Sequence, residues 1–130
     1  MKHLDAQSIE LVYILSELEN TIELSESLLI YPKHLYQLKD SIELYLFTKN
    51  RYLIIATHQG STTKVKTVPL KKVEWVESTI TDEYRLLKIQ FDNGEVISFS
   101  PNDDTALIYR REFNNQLKQI ISYLHDSPLL

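Results

Sequence analysis

The sequence predicts an α+β domain: a bent antiparallel β-barrel closed by a C-terminal α-helix, with an extra helix at the N-terminus. Three observations predict it. Residues 42–100 break into short runs rich in Tyr, Ile, Leu, Phe and Val, separated by turn residues. Residues 103–125 carry one apolar stripe at helical spacing and follow the strands instead of alternating with them. Residues 1–20 carry a second such stripe. At 130 residues the chain suits a single domain, 1–130, long enough to bury a core without staples.

The N-terminal stripe is Leu4, Leu11, Ile14, Leu15 and Leu18, with Val12 and Tyr13 widening it so that the helix packs on the domain. Asp5 is its expected cap and Asn20 its expected end. Residues 21–31 are ambiguous: Thr21–Ser25 alternates as a strand does, whereas Ser27–Tyr31 fits either state. Pro32 is expected to break whatever precedes it, and residues 33–39 to form a short helical turn.

Ile42–Thr48 and Arg51–Thr57 read as a hairpin around Lys49-Asn50, with Asn50 suited to the left-handed backbone of a two-residue turn. Both strands are apolar at nearly every position, so both of their faces must be covered. His58–Thr62, polar and containing Gly60, reads as a loop. Strands over 63–68 and 70–79 follow, with Pro69 between them as a bend or bulge.

The next hairpin can be argued to its register. Tyr84–Phe91 places Leu87, Ile89 and Phe91 on one face, and Glu95–Ser100 places Ile97 and Phe99 on one face. A two-residue Asn93-Gly94 turn would set Ile89 opposite Ser98. A three-residue Asp92-Asn93-Gly94 turn sets Ile89 opposite Ile97 and Leu87 opposite Phe99, which keeps the apolar sets together. Gly94 then takes the left-handed position that ends the loop. Pro101–Asp104 stops the last strand and supplies capping carboxylates. The final helix has an inner stripe of Ala106, Tyr109, Phe113, Leu117, Ile120, Ile121 and Leu124, with Arg110, Arg111, Gln116 and Lys118 outward.

Charge is uneven. The net is −4, but residues 1–30 carry −5, residues 31–72 carry +6 and residues 73–130 carry −5. The positive middle is a candidate anion-facing surface, with solvated strand faces as the plainer reading. The chain contains no cysteine, which excludes disulfides, thiolate catalysis and cysteine-ligated zinc. Charge interrupts Met1–Asp5 before any apolar stretch, and the longest apolar runs are too short to span a bilayer. A cytoplasmic location is therefore expected.

No constellation for catalysis stands out, and no cofactor or metal is expected. His3, His34, His58 and His125 lie far apart in the sequence. Glu74 and Glu77, three apart on a strand, fall on opposite faces. Asp82-Glu83 reads as a turn and Asp103-Asp104 as a helix cap. With two glycines in the chain, neither a P-loop nor a dinucleotide fingerprint can be assembled. Tyr45, Tyr52 and Tyr109 sit in apolar stretches, so core packing explains them better than stacking on bases. Trp75 reads as a core anchor, with an exposed hot spot as the alternative.

Two segments carry a resemblance. Leu46-Phe47-Thr48-Lys49-Asn50-Arg51-Tyr52-Leu53-Ile54-Ile55 resembles a strand-turn-strand pattern of Leu-Thr-x-x-Arg-Leu-Ile. Val68-Pro69-Leu70-Lys71-Lys72-Val73-Glu74-Trp75-Val76-Glu77 resembles Ile-Pro-Leu-x-x-Ile-x-x-Val. Both patterns belong to bacterial pleckstrin-homology-like (PH-like) domains, to which the chain is similar over about residues 42–125. The resemblance implies a bent seven-stranded barrel with a helix closing one end; the first 40 residues lie outside it.

The expected function is that of a non-enzymatic binding module for a protein or peptide, acting through an exposed strand edge or the groove beside the C-terminal helix. Lys64, Lys66, Lys71, Lys72 and Trp75 are expected near that surface. The alternative is an anionic lipid headgroup or phosphorylated ligand held by Lys49, Arg51, Lys64 and Lys66. The resemblance implies it, since loops between early strands bind such ligands in some eukaryotic relatives. A small enzyme ranks third. Nucleic acid is not an expected partner, and the assembly is expected to be a monomer or a homodimer through the N-terminal helix.

Overall fold

Strands rich in branched and aromatic residues pair with their sequence neighbours, and among the described residues the meander is interrupted after Pro69, which lacks an amide donor. The computed structural model describes residues 27–33 and 41–126. Strands β1 (Ser27–Lys33), β2 (Ser41–Thr48), β3 (Tyr52–Gln59) and β4 (Thr62–Pro69) form one antiparallel sheet in that order. A 3₁₀ turn over Leu70–Lys72 leads to β5 (Val73–Ile80), β6 (Arg85–Phe91) and β7 (Val96–Phe99), a second antiparallel sheet. A single helical turn, α1 (Pro101–Asp104), and a 3₁₀ turn (Leu107–Tyr109) precede the long helix α2 (Arg110–Asp126). The architecture is therefore α+β, two antiparallel sheets and a C-terminal helix.

The expected barrel does not close. Beyond Pro69 the chain turns inward on Leu70, which is buried, so β5 begins a separate sheet and does not extend the first. The expected N-terminal helix, the alternating segment at 21–25 and the turn over 34–39 lie outside the described residues.

Pro32 does not break β1. The Ile30 carbonyl faces away from β2 and accepts a bond from Gln116, and Pro32, two residues on, shares that outward orientation. No ladder bond is lost, which is how an edge strand tolerates proline. His58–Thr62 is not a loop either: His58 is buried within β3 and bonds Thr63 at 2.8 Å, and only Gly60 and Ser61 lie between the strands. Gly60 has φ 63 at the first turn position, where a two-residue hairpin needs it.

The β2–β3 turn is one residue longer than expected. Phe47 pairs with Leu53, and Lys49, Asn50 and Arg51 form the loop. The left-handed residue is Arg51, at φ 67, and not Asn50. Thr48 organises this loop: its hydroxyl donates to Asn50 Oδ1 at 2.6 Å and accepts from the Tyr52 amide at 3.0 Å.

At β6–β7 the expected three-residue turn is present, with Leu87 opposite Phe99 and Ile89 opposite Ile97. The Gly94 amide donates to the Phe91 carbonyl at 2.9 Å, and Gly94 adopts φ 90.

The final helix starts at Arg110 and not near Asp103, because Asp103 and Asp104 fold back on Ser100. The Ser100 hydroxyl donates to Asp103 at 3.0 Å and its amide to Asp104 at 2.7 Å. Thr105 and Ala106 then run extended. Phe113, Leu117, Ile120, Ile121 and Leu124 form the buried stripe of α2. Each contributes about 1.5–3 kcal/mol of burial before conformational entropy is set against it. They pack on Tyr31, Phe47, Leu87, Ile89 and Phe99 from both sheets. The other face of the first sheet is also dry: Ile42, Leu44, Leu46, Ile54 and Ala56 are buried there. Two aromatic expectations change, since Tyr52 lies exposed and Trp75 is 39% exposed instead of anchoring the core.

Candidate functional site

Helix α2 crosses β1, the edge strand of its sheet among the described residues, and the space between them forms two depressions. One, of about 680 Å³, is lined by Leu29, Asn115, Lys118, Gln119, Ser122 and Tyr123. The other, of about 190 Å³, is lined by Ile30, Pro32, Glu112, Phe113 and Gln116. Between them Gln116 Nε2 donates to the Ile30 carbonyl at 2.7 Å. Asn115, Lys118, Gln119 and Ser122 recur at helical spacing, so they form one polar ridge facing an apolar strand edge.

The larger depression ends at an organised corner. The Arg51 guanidinium lies over the Tyr123 ring at 4.5 Å, and its Nη1 donates to the Tyr123 carbonyl at 3.4 Å. The Tyr123 hydroxyl in turn donates to the Thr48 carbonyl at 2.6 Å. Burial pushes the Tyr123 hydroxyl pKa up, and the neighbouring Arg51 charge partly opposes that rise. Arg51 Nη2 is buried without a hydrogen-bond partner.

The sequence-selected residues fall in three places. Lys49 and Arg51 occupy the β2–β3 loop, and the Leu70 amide donates to the Arg51 carbonyl at 2.9 Å. That bond sets the loop beside the turn bearing Lys71 and Lys72, both exposed. Lys64 and Lys66 share one face of β4, the opposite edge of the sheet from β1, and Lys66 pairs with Glu95 at 3.1 Å. Trp75 lies on β5, an edge of the second sheet. The groove residues of β1 and α2 were not selected from sequence. The groove beside the C-terminal helix was expected as a surface and Gln116 and Lys118 as outward residues, but the residues that β1 brings to it follow from a non-local contact.

Elsewhere the polar groups serve structure. Asp104 is buried and accepts from Tyr31 and from the Ser100 amide. Lys33 Nζ donates to the Ser98 carbonyl and lies 5.3 Å from the Tyr45 ring centroid and 5.1 Å from that of Phe99. His125 is exposed. Among the described residues no three histidine, aspartate or glutamate side chains converge on a common point where a metal ion would sit. Nor, among them, is any helix long and apolar enough to cross a membrane.

Comparison with curated proteins and with solved structures gives no match. Comparison with protein families does: the family described as "Protein of unknown function (DUF3908)" matches residues 2–115, a span that runs through all seven strands into the first turns of α2. The chain belongs to the DUF3908 family.

Proposed function

We propose that this chain is a non-enzymatic binding module of PH-like type that holds an extended segment of a protein partner between β1 and α2. The carrying observation is the Gln116–Ile30 bond. It marks an outward carbonyl of an edge strand that accepts a donor from beyond the sheet, as it would accept the amide of an added strand. Pro32 offers no outward donor, so main-chain pairing would stop there and leave the Ile30–Pro32–Phe113 depression for a side chain. A sheet of four strands, a sheet of three and a closing helix also suit the PH-like resemblance.

A photo-crosslinking residue at Gln119, on the exposed ridge, tests the reading in the native cell. A discrete protein adduct from Gln119, absent when the same residue replaces Val65 on β4, supports it. Equal or no adducts from both positions overturn it.

The second reading, an anionic headgroup or phosphorylated ligand, draws on the adjacency of Lys49 and Arg51 to Lys71 and Lys72. Sedimentation with vesicles over a salt series tests it. Binding confined to anionic vesicles and weakened by salt favours it over the peptide groove.

A further inference from the structure

We infer that the segment taken into the β1–α2 groove is acidic, and that Arg51 and Lys118 recognise its carboxylate at the Tyr123 end. This rests on the peptide-groove reading and adds the partner's chemistry and direction.

Two independent features of Arg51 point to a ligand. Its backbone sits at φ 67, a conformation that disfavours a side chain and that glycine would adopt freely. Its Nη2 is a buried donor with neither a protein partner nor open water, although most buried donors in folded chains are satisfied. A charged donor left unpaired is destabilising, and so is the backbone strain. Glycine would remove both at this turn, at the loss of the Tyr123 stack and the Nη1 bond, and neither of those contacts uses Nη2. The stacking places the guanidinium on the ring of Tyr123, a residue that lines the groove. Contact with a ligand requires Nη2, buried in the free protein, to slide along that ring to the opening.

The surroundings fit a carboxylate. Among the described residues the lining of this depression includes Lys118 and no acidic side chain, and its polar groups include the amides of Asn115 and Gln119 and the hydroxyl of Ser122. Lys118 lies five residues before Tyr123, roughly 7.5 Å along the helix axis, and both line this depression. A guanidinium fork and an ammonium together suit a carboxylate in a partly desolvated corner.

Direction follows from the sheet. Every strand pair in the structure is antiparallel. A segment continuing that pattern on β1 enters beside Pro32 and leaves beside Leu29. Its apolar residue would fill the Ile30–Pro32–Phe113 depression, and its Asp, Glu or terminal carboxylate would follow toward Arg51. Glu112, at the entry end, disfavours an acidic residue there.

The test uses the full chain as bait for a displayed library of random twelve-residue peptides, followed by titration of selected synthetic peptides at low and moderate salt. The expected selection is an apolar residue followed C-terminally by Asp or Glu. Replacing that acid by its amide, Arg51→Gly and Lys118→Ala should each weaken binding at least tenfold and flatten the salt dependence. Arg51→Gly relieves the backbone strain and loses the Tyr123 stack, so its thermal midpoint is measured beside its binding. If Arg51→Gly fails to fold, Lys118→Glu, on the exposed helix surface, carries the same test. Peptides that bind without acidic preference and are lost on Leu29→Glu but not on Arg51→Gly or Lys118→Ala overturn the carboxylate site and leave the groove standing. Recovery of no binding peptide overturns both.

Discussion

The Tyr31 hydroxyl donates a 2.8 Å hydrogen bond to Asp104 Oδ2, tying edge strand β1 to the turn after β7 across 73 positions of chain. Both groups are buried, and the Tyr31 ring meets Phe99 and Phe113 edge-on at 5.0 and 5.3 Å. This contact, with the apolar core, fixes the first sheet against the helical segment that ends the chain. Tyr31→Phe keeps the ring and leaves Asp104 one donor short. It should lower stability by about 1–3 kcal/mol. Urea unfolding measures the loss, and a double-mutant cycle with Asp104→Ala should return a clear coupling between the two positions.

Alkaline pH should unfold the protein through its tyrosines. Burial raises the Tyr31 pKa most, followed by the charge of Asp104 and the bond to it. Burial also leads at Tyr45, followed by its bond to Glu43. In the unfolded chain these hydroxyls ionise near pH 10. Above that pH the folded form keeps protons that the unfolded form has released. Stability is therefore full below about pH 10 and falls as pH rises further, by about 1.4 kcal/mol per pH unit for each such tyrosine. Tyr31→Phe should reduce that slope by one proton. Urea midpoints taken on either side of pH 10 check both statements.

The Gly94 backbone has φ 90, and an added Cβ would meet nothing within 4 Å. Gly94→Ala therefore tests backbone strain with no clash. It should destabilise by about 1–2 kcal/mol, and Gly94→Asn by less. Equal stability of all three would show that the left-handed turn is not required for the register.

Leu117 is fully buried where α2 meets both sheets. Leu117→Ala should lose about 2–5 kcal/mol through lost transfer energy and the cavity left behind. Calorimetric unfolding reads this directly. A loss under 1 kcal/mol would mean that the helix does not close the core.

Trp75, the single tryptophan, is 39% exposed on an edge strand. Acrylamide should quench its emission in the folded protein. Trp75→Ala should shift stability much less than Leu117→Ala does.

The legible parts of the fold were those where sequence pattern and turn chemistry both discriminate. On β6 and β7 apolar and polar residues alternate, so one register buries Leu87, Ile89, Ile97 and Phe99 together and the shifted one does not. On β2 and β3 apolar residues follow one another on both faces, so a slip by one residue leaves an equally apolar pattern. Nothing in the alternation marks the longer turn, and arginine is not a residue type that announces a left-handed position. Pro32 misled because its tolerance depends on which way an edge residue faces, which a local pattern does not encode. The barrel expectation counted six strands from the residues, left Ser27–Tyr31 open where β1 lies, and missed the place where Pro69 and Leu70 part the two sheets. The site was less legible still. Arg51 was selected for its charge, yet its partner Tyr123 and the ridge containing Lys118 come near it only once the helix lies across the sheet.

A hairpin with two oily faces also shapes how this chain must be made. Ile42–Phe47 and Leu53–Ala56 leave the ribosome well before Phe113–Leu124, which cover one of those faces. Until then the nascent hairpin presents a charge-poor, β-prone ribbon of the kind that stacks on copies of itself. Cellular yield should thus depend on a chaperone that shields residues 42–56 during synthesis. Slowing translation just downstream of them should send more of the product into inclusion bodies, with no change in the finished protein's stability.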